Sequence, residues 1–242
     1  MACTLTIAGS EVRAARGASL LWAALDNGFY IPNLCAVRGL PRPPASCRLC
    51  FVEIAGRTGG PVTACTEKVS DGMSVTLDSA GIRRLRRASF NLLLSNHALD
   101  CGHCVKNRRC ELQKIAAHEH FKLNDRRFNR IAGEFPVDSS HPLIVFDRNK
   151  CVLCGKCIRA CSESGTSALD FAYRGLKTAV STFAEMPLAG TDCNSCLACA
   201  GVCPVGSIYL KSLLPGVPAD QGDKAAPTQF LRHVPRFSPG DP

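Results

Sequence analysis

The sequence has 242 residues, with 29 basic and 20 acidic side chains, a formal net charge of +9 and sixteen cysteines. It contains no run of eighteen apolar residues, and its start lacks the basic and apolar stretches of a secretory signal. We therefore expect no membrane span and a cytoplasmic location. In that reducing compartment so many thiols indicate metal ligands and not disulfides.

Residues 1–78 are predicted to form a small domain of strands and one short helix. Three segments have the β-branched and apolar composition of strands: residues 4–7, 51–54 and 73–77. Ser19 is predicted to cap a helix over residues 20–25, which Asn27 and Gly28 would end. This order of elements fits a β-grasp ferredoxin domain.

The first four cysteines follow that predicted helix. They have the spacing C-x11-C-x2-C-x14-C and are Cys35, Cys47, Cys50 and Cys65. The first loop is longer than in the plant-type C-x4-C-x2-C motif, so the spacing alone is not specific. Inside a β-grasp domain the group predicts a [2Fe–2S] centre, and a zinc site is the alternative.

The second group has three cysteines and needs a fourth ligand. Cys101, Cys104 and Cys110 have the spacing C-x2-C-x5-C, and His97 lies four residues before the first of them. His103 is the alternative ligand, but it would strain the tight loop between Cys101 and Cys104. We therefore predict that His97 completes this site.

A helix is predicted directly before this group. Between residues 82 and 94 apolar side chains recur at helical spacing, at Ile82, Leu85, Leu92 and Leu93. The second site would then lie at the end of that helix, within a segment over residues 79–120.

The last eight assigned cysteines form the most specific motif of the chain. They are two runs of C-x2-C-x2-C-x3-C, and Pro204 follows the second run. Such a pair is typical of a bacterial ferredoxin with two [4Fe–4S] clusters, in which the fourth cysteine of each run ligates the other cluster. We therefore assign one cluster to Cys151, Cys154, Cys157 and Cys203. The second is assigned to Cys161, Cys193, Cys196 and Cys199.

Zinc binding is the alternative to this assignment. A pair of zinc knuckles would need only two pairs of cysteines per site and would leave the remaining cysteines of each run without a purpose. Only Cys3 stays unassigned, and we expect it to be a buried strand residue.

Two groups of basic residues are open to three interpretations. The groups are Arg83, Arg84, Arg86 and Arg87, and Arg126, Arg127 and Arg130. They could form a solvated helix face or dock to an acidic partner subunit. Nucleic-acid binding is the third interpretation, but aromatic residues between the arginines and a known nucleic-acid motif are missing.

The order of these motifs resembles the electron-input region of the large iron–sulfur subunit of complex I. It is also similar to the N-terminal half of [FeFe]-hydrogenases and to the small diaphorase subunit of soluble NAD-reducing hydrogenases. The likeness covers residues 1 to about 214. It implies a [2Fe–2S] cluster on Cys35, Cys47, Cys50 and Cys65. It also implies a [4Fe–4S] cluster on His97, Cys101, Cys104 and Cys110.

The resemblance favours the hydrogenase side, because complex I subunits of this kind usually lack a full second ferredoxin set. It implies an iron–sulfur relay with one [2Fe–2S] and three [4Fe–4S] clusters in a hetero-oligomer. The expected partners are a flavin/NAD-binding diaphorase subunit and a hydrogenase module. The same role in a formate dehydrogenase, complex I or another NAD-coupled reductase is the alternative. A zinc-bound interaction or nucleic-acid module is the alternative outside redox chemistry.

The expected fold is α+β, with three units in tandem. The first is a β-grasp [2Fe–2S] domain over residues 1–78. The second is a helical [4Fe–4S] segment over 79–120 with one histidine and three cysteine ligands. The third is a bacterial-type domain with two [4Fe–4S] clusters over 141–214. Residues 121–140 are predicted to be a linker, and residues 215–242 an extended tail rich in proline. Neither G-x-G-x-x-G nor a P-loop occurs, so we predict no catalytic residue and no substrate-turnover site in this chain.

Overall fold

The computed structural model describes residues 2–123 and 134–214. Three sequence features lie outside the described residues. They are the predicted tail 215–242, the centre of the predicted linker at 124–133, and the arginines Arg126, Arg127 and Arg130.

The described chain divides into two compact units. One contains residues 2–99 and 111–123, and the other contains residues 100–110 and 134–214. The segment that we predicted over residues 79–120 is therefore shared between the two units. An α+β fold is confirmed.

The described part of the first unit is a mixed five-stranded sheet with helices. The strands are β1 (Ala2–Ile7), β2 (Ser10–Ala15), β3 (Phe51–Ile54), β4 (Val62–Thr63) and β5 (Ser74–Thr76). Their order is β2-β1-β5-β3-β4, with β1 parallel to β5 and the other neighbours antiparallel. The helices are α1 (Leu20–Asp26), α2 (Ala80–Ser95) and α3 (Glu111–His118).

The core of this unit lies between α1 and the sheet. Side chains of a strand alternate between its two faces, and β1 buries Leu5 and Ile7 on the face that packs against Leu20 and Leu21 of α1. Cys50 and Cys65 belong to the same buried cluster as these side chains. The hydrophobic core of this unit therefore extends directly to the first cysteine group.

The start of α1 differs from the prediction. Ser19 occupies the N-cap position with extended backbone, but its hydroxyl makes no capping hydrogen bond and instead donates to the carbonyl of Cys65 at 3.5 Å. The first helical N–H groups donate to Glu67 and Ala64 carbonyls, so residues 64–67 replace the cap. The predicted end is confirmed, because Asn27 is the C-cap residue.

The buried face of α2 also differs from the prediction. Its inward residues are spaced by four and include Ile82, Arg86, Phe90 and Leu94, whereas Leu92 is 55% exposed. Residues four positions apart lie on one side of a helix, whereas the predicted residues Leu85, Leu92 and Leu93 do not all share that side. An arginine therefore lies on the buried stripe. The interpretation of the first basic group as a solvated face is wrong for this residue.

The described part of the second unit contains two antiparallel strand pairs and two short helices. The strands are β6 (Ile144–Phe146), β7 (Asp170–Ala172), β8 (Ala179–Ser181) and β9 (Ile208–Leu210), with β6 paired to β9 and β7 to β8. The helices are α4 (Lys156–Glu163) and α5 (Ala198–Val202). Each helix begins inside one of the two repeated cysteine runs. Among the described residues, no helix has the length and apolar character that crossing a membrane requires.

Candidate metal centres

The first four cysteines meet beside the sheet of the first unit. Cys35 lies in the loop after α1, Cys50 directly precedes β3, and Cys65 follows shortly after β4. The four residues are only 1–4% exposed. Arg48, between Cys47 and Cys50, has a left-handed φ of 51°, which is uncommon for a residue with a Cβ. The fold thus holds an unusual loop conformation where these cysteines come together.

The sulfur atoms of this group form two pairs. The Sγ atoms of Cys35 and Cys47 lie 3.4 Å apart. Their shared hydrogen bond lowers the pKa of Cys35 to about 5 and raises the pKa of Cys47. A second hydrogen bond lowers the pKa of Cys65 and raises that of Cys50. Two hydrogen-bonded pairs of thiols suit the two irons of a [2Fe–2S] cluster.

The repeated runs surround two separate cavities in the second unit. Cys151, Cys154, Cys157 and Cys203 line one, which holds about 320 Å³ with its open mouth included. Cys161, Cys193, Cys196 and Cys199 line the other, of about 340 Å³. The structure therefore brings together the same crossed sets that the motif predicts, with the last cysteine of each run beside the other run.

The two runs have the same backbone conformation at equivalent positions. Leu153 and Gly155 in the first run have φ of 53° and 72°, and Ser195 and Leu197 in the second have φ of 57° and 62°. Gly155 and Leu197 then serve as left-handed N-cap residues of α4 and α5. Left-handed backbone costs on the order of 1 kcal/mol or more for residues other than glycine, and such strain is concentrated at functional sites.

Burial affects the acidity of three thiols in these two sets. Burial raises the pKa of Cys151 and of Cys199 to about 12, and it also raises the pKa of Cys157. Four cysteines line each cavity, which matches the ligand set of a [4Fe–4S] cluster, whose irons would favour the thiolates.

His97, one candidate ligand of the remaining site, belongs to the first unit. His97 follows the end of α2, is 9% exposed and donates its backbone N–H to Leu94 at 3.1 Å. Cys101, Cys104 and Cys110 belong to the second unit, where Cys101–His103 form a single 3₁₀ turn. His103 has a 90% exposed side chain whose Nδ1 is 2.8 Å from the Asp100 carboxylate. Because its side chain is exposed and already contacts a carboxylate, His103 is a poorer candidate than His97 for the fourth ligand.

Cys104 lies against the turn that follows the second run. A Cβ placed on Gly206 would be 2.6 Å from the Sγ of Cys104, well inside ordinary van der Waals contact. The absence of a side chain at Gly206 therefore allows this thiol to approach the segment that also contains Cys203.

One residue beside the first site was missed by sequence reasoning. The Arg86 guanidinium donates from Nη1 to the Glu119 carboxylate and from Nη2 to the carbonyl of Phe51, both at 2.8 Å. Phe51 directly follows Cys50. The four-residue spacing from Ile82 through Arg86 to Phe90 was the signal that could have placed this arginine on the buried face.

Three family models match the chain in the order of its motifs. Residues 1–80 match a 2Fe-2S iron-sulfur cluster binding domain. Residues 86–122 match the NADH-ubiquinone oxidoreductase-G iron-sulfur binding region. Residues 144–210 match a 4Fe-4S dicluster domain. Both kinds of iron–sulfur domain are therefore present.

The similar proteins are subunits of redox complexes. The chain is 35% identical over 215 residues to the alpha subunit of the NADPH-Fe(3+) oxidoreductase of Geobacter sulfurreducens, covering 86% of this chain and 24% of that protein. It is 28% identical over 216 residues to the gamma subunit of the NAD-reducing hydrogenase HoxS of Cupriavidus necator, covering 87% of this chain and 88% of that one. It thus spans about a quarter of the first relative.

The fold also matches a solved structure. A chain of the crystal structure of NAD+-reducing [NiFe]-hydrogenase in the H2-reduced state superposes with a TM-score of 0.78 and 30% identity, covering 89% of this chain and 90% of that chain. The chain belongs to the family of diaphorase-type iron–sulfur subunits, which are related to the large iron–sulfur subunit of the NADH-quinone oxidoreductases. The resemblance that we drew from the motifs is confirmed, and the relatives support an electron-relay role.

Proposed function

We propose that this chain relays electrons between a flavin/NAD-binding diaphorase subunit and a hydrogenase module in a cytoplasmic hetero-oligomer. The observation that supports this proposal most strongly is the grouping of the cysteines into sets of four, two of which surround separate cavities. Clusters held at such sites would accept and release single electrons. The chain itself would hold them, exclude water and set their environment.

The proposed cofactors are one [2Fe–2S] and three [4Fe–4S] clusters. Cys35, Cys47, Cys50 and Cys65 would hold the first, and His97, Cys101, Cys104 and Cys110 the histidine-ligated one. The two remaining clusters would occupy the cavities of the repeated runs. Accordingly, residues 1–78 would be a β-grasp ferredoxin domain and residues 141–214 a bacterial-type ferredoxin domain, which the matching 2Fe-2S and dicluster families support.

Two comparisons support a hydrogenase over the other NAD-coupled enzymes. Both the HoxS gamma subunit and the superposed crystallographic chain belong to NAD-reducing hydrogenases. The similarity to a subunit of an NADPH-Fe(3+) oxidoreductase supports the second candidate, which is the same relay in another reductase. The two candidates differ in the partner enzyme that exchanges electrons with the clusters.

The complex purified through a tag on this chain is expected to contain a flavin subunit and to reduce NAD+ with hydrogen. Activity would be assayed anaerobically in the native host's purified complex, with hydrogen and formate as separate donors. Formate-dependent reduction without hydrogen-dependent reduction would favour the second candidate. A complex without flavin and without NAD+ reduction would contradict both.

His97→Cys is expected to keep a [4Fe–4S] cluster and to lower its midpoint potential. A thiolate would replace a neutral imidazole, and the added negative charge disfavours the reduced state. His97→Ala should weaken or remove the same cluster, whereas His103→Ala is the matched control and should leave it intact. EPR-monitored redox titration gives both results. An unchanged signal and midpoint in His97→Ala would instead make His103 the ligand.

A further inference from the structure

A buried ion pair lies next to the first cysteine group. The side chains of Arg86 and Glu119 are only 5% and 6% exposed, and their charged atoms are 2.8 Å apart. Removing two charges from water is costly, so such a pair adds little stability by itself. Its position next to a candidate metal centre therefore requires an explanation beyond the stability of the fold.

The arginine is the partner that faces the cysteine group. Its Nη2 donates to the carbonyl of Phe51, the residue after Cys50. Burial lowers the pKa of Arg86, while the charges of Glu119 and of Cys50 oppose that effect. A guanidinium stays protonated in proteins, so Arg86 places a permanent positive charge against the backbone of Phe51, which directly follows Cys50. Glu119 follows α3 and accepts a hydrogen bond from Nη1 of the same guanidinium.

This charge bears on the reduction of a cluster at the site. Reduction adds one negative charge, and a fixed cation nearby stabilises the reduced state more than the oxidised state. The interaction is stronger at a water-excluded site than in solvent, because the effective dielectric constant is lower. A carboxylate paired with that cation opposes the effect. The pair would then set the potential by the balance of two opposite charges.

We propose that Arg86 and Glu119 are positioning residues that tune the potential of the cluster held by Cys35, Cys47, Cys50 and Cys65. Arg86 raises the potential and Glu119 limits the increase. The inference rests on the proposed [2Fe–2S] site, and it adds two residues that none of the cysteine motifs contains. If the pair were purely structural, removing the positive charge and removing the negative charge would not shift the midpoint potential of the cluster in opposite directions.

The test is an EPR-monitored redox titration of the loaded full-length chain and its variants. Arg86→Gln should lower the midpoint of the [2Fe–2S] signal, with at least a tenfold change in the reduction equilibrium, or about 59 mV for one electron. Glu119→Gln should raise the midpoint. Arg83→Gln is the matched control, because Arg83 lies on the same helix in an exposed ion pair with Asp78 and should cause no shift.

The conservative variant separates charge from folding. Arg86→Lys keeps the positive charge and should hold the midpoint closer to the wild-type value than Arg86→Gln does. If Arg86→Gln does not fold, the lysine variant and Glu119→Gln decide between the two explanations. Shifts of the same sign in the Arg86 and Glu119 variants, or no shift in either, would overturn the inference.

Failure of the proposed site gives a different result. A wild-type chain that shows no [2Fe–2S] signal after reconstitution would overturn the site and the inference together. A normal signal with unshifted midpoints in every variant would overturn the inference alone.

Discussion

Cys203→Ala is expected to remove the same EPR signal that Cys151→Ala removes, although the two cysteines belong to different runs. Both line the cavity that also contains Cys154 and Cys157. Each substitution takes one thiolate from a set of four ligands, and a cluster with three remaining ligands should lose iron. The wild-type chain should contain about fourteen irons, and each variant should contain fewer.

The second run provides the matched comparison. Cys161→Ala should remove the signal that Cys193→Ala removes, because these cysteines share the other cavity. Cys3→Ala controls for the loss of a buried thiol, since Cys3 is 7% exposed in β1 and belongs to no proposed set. If Cys203→Ala instead removes the signal that Cys193→Ala removes, each run holds its own cluster and the crossed assignment is wrong.

The purified chain without its partners is expected to be reduced by dithionite and not by NADH. Every proposed cluster has a full set of four protein ligands, and the sequence shows no dinucleotide-binding motif. NADH donates hydride, so the transfer of single electrons to clusters requires a flavin or a similar cofactor between them. Dithionite should reduce the clusters fully and NADH should not reduce them at all, and bleaching of the absorbance at about 400 nm under anaerobic conditions would measure both results.

The control for this experiment is the added partner. NADH should reduce the chain once a flavin-bearing subunit is present, and hydrogen should reduce it only with a hydrogenase module. Stoichiometric reduction by NADH in the absence of both partner and flavin would show that the chain binds the nucleotide itself. The relay proposal would then be wrong.

The grouping of the repeated runs could be predicted because it depends on local spacing. Cysteines three residues apart on a short loop reach one cavity when the residues between them adopt left-handed backbone, as Leu153 and Ser195 do. The helix that follows must then turn its last cysteine towards the other loop. Secondary structure that depends on apolar pattern was also predicted well, and α1 ends where Asn27 and Gly28 indicate.

What the sequence did not reveal depends on tertiary contacts. Arg86 is close in sequence to the exposed residues Arg83, Arg84 and Arg87. A solvated helix face was therefore one interpretation of the whole group. Its burial depends on Glu119, which lies 33 residues further along the chain. The strand β2 was missed because its residues Ser10–Ala15 are largely exposed, so it lacks a strong apolar pattern. Both features depend on partners elsewhere in the first unit.

The burial of the first cysteine group has a consequence for the survival of the protein in air. The first group is almost completely buried and consists of Cys35, Cys47, Cys50 and Cys65. Several cysteines of the second unit remain partly accessible to solvent, among them Cys101, Cys104, Cys154 and Cys196. Oxidation of sulfur depends on access as well as on thiolate character. Oxygen would therefore damage the second unit first, and the sheet with its own core would keep its cofactor longest.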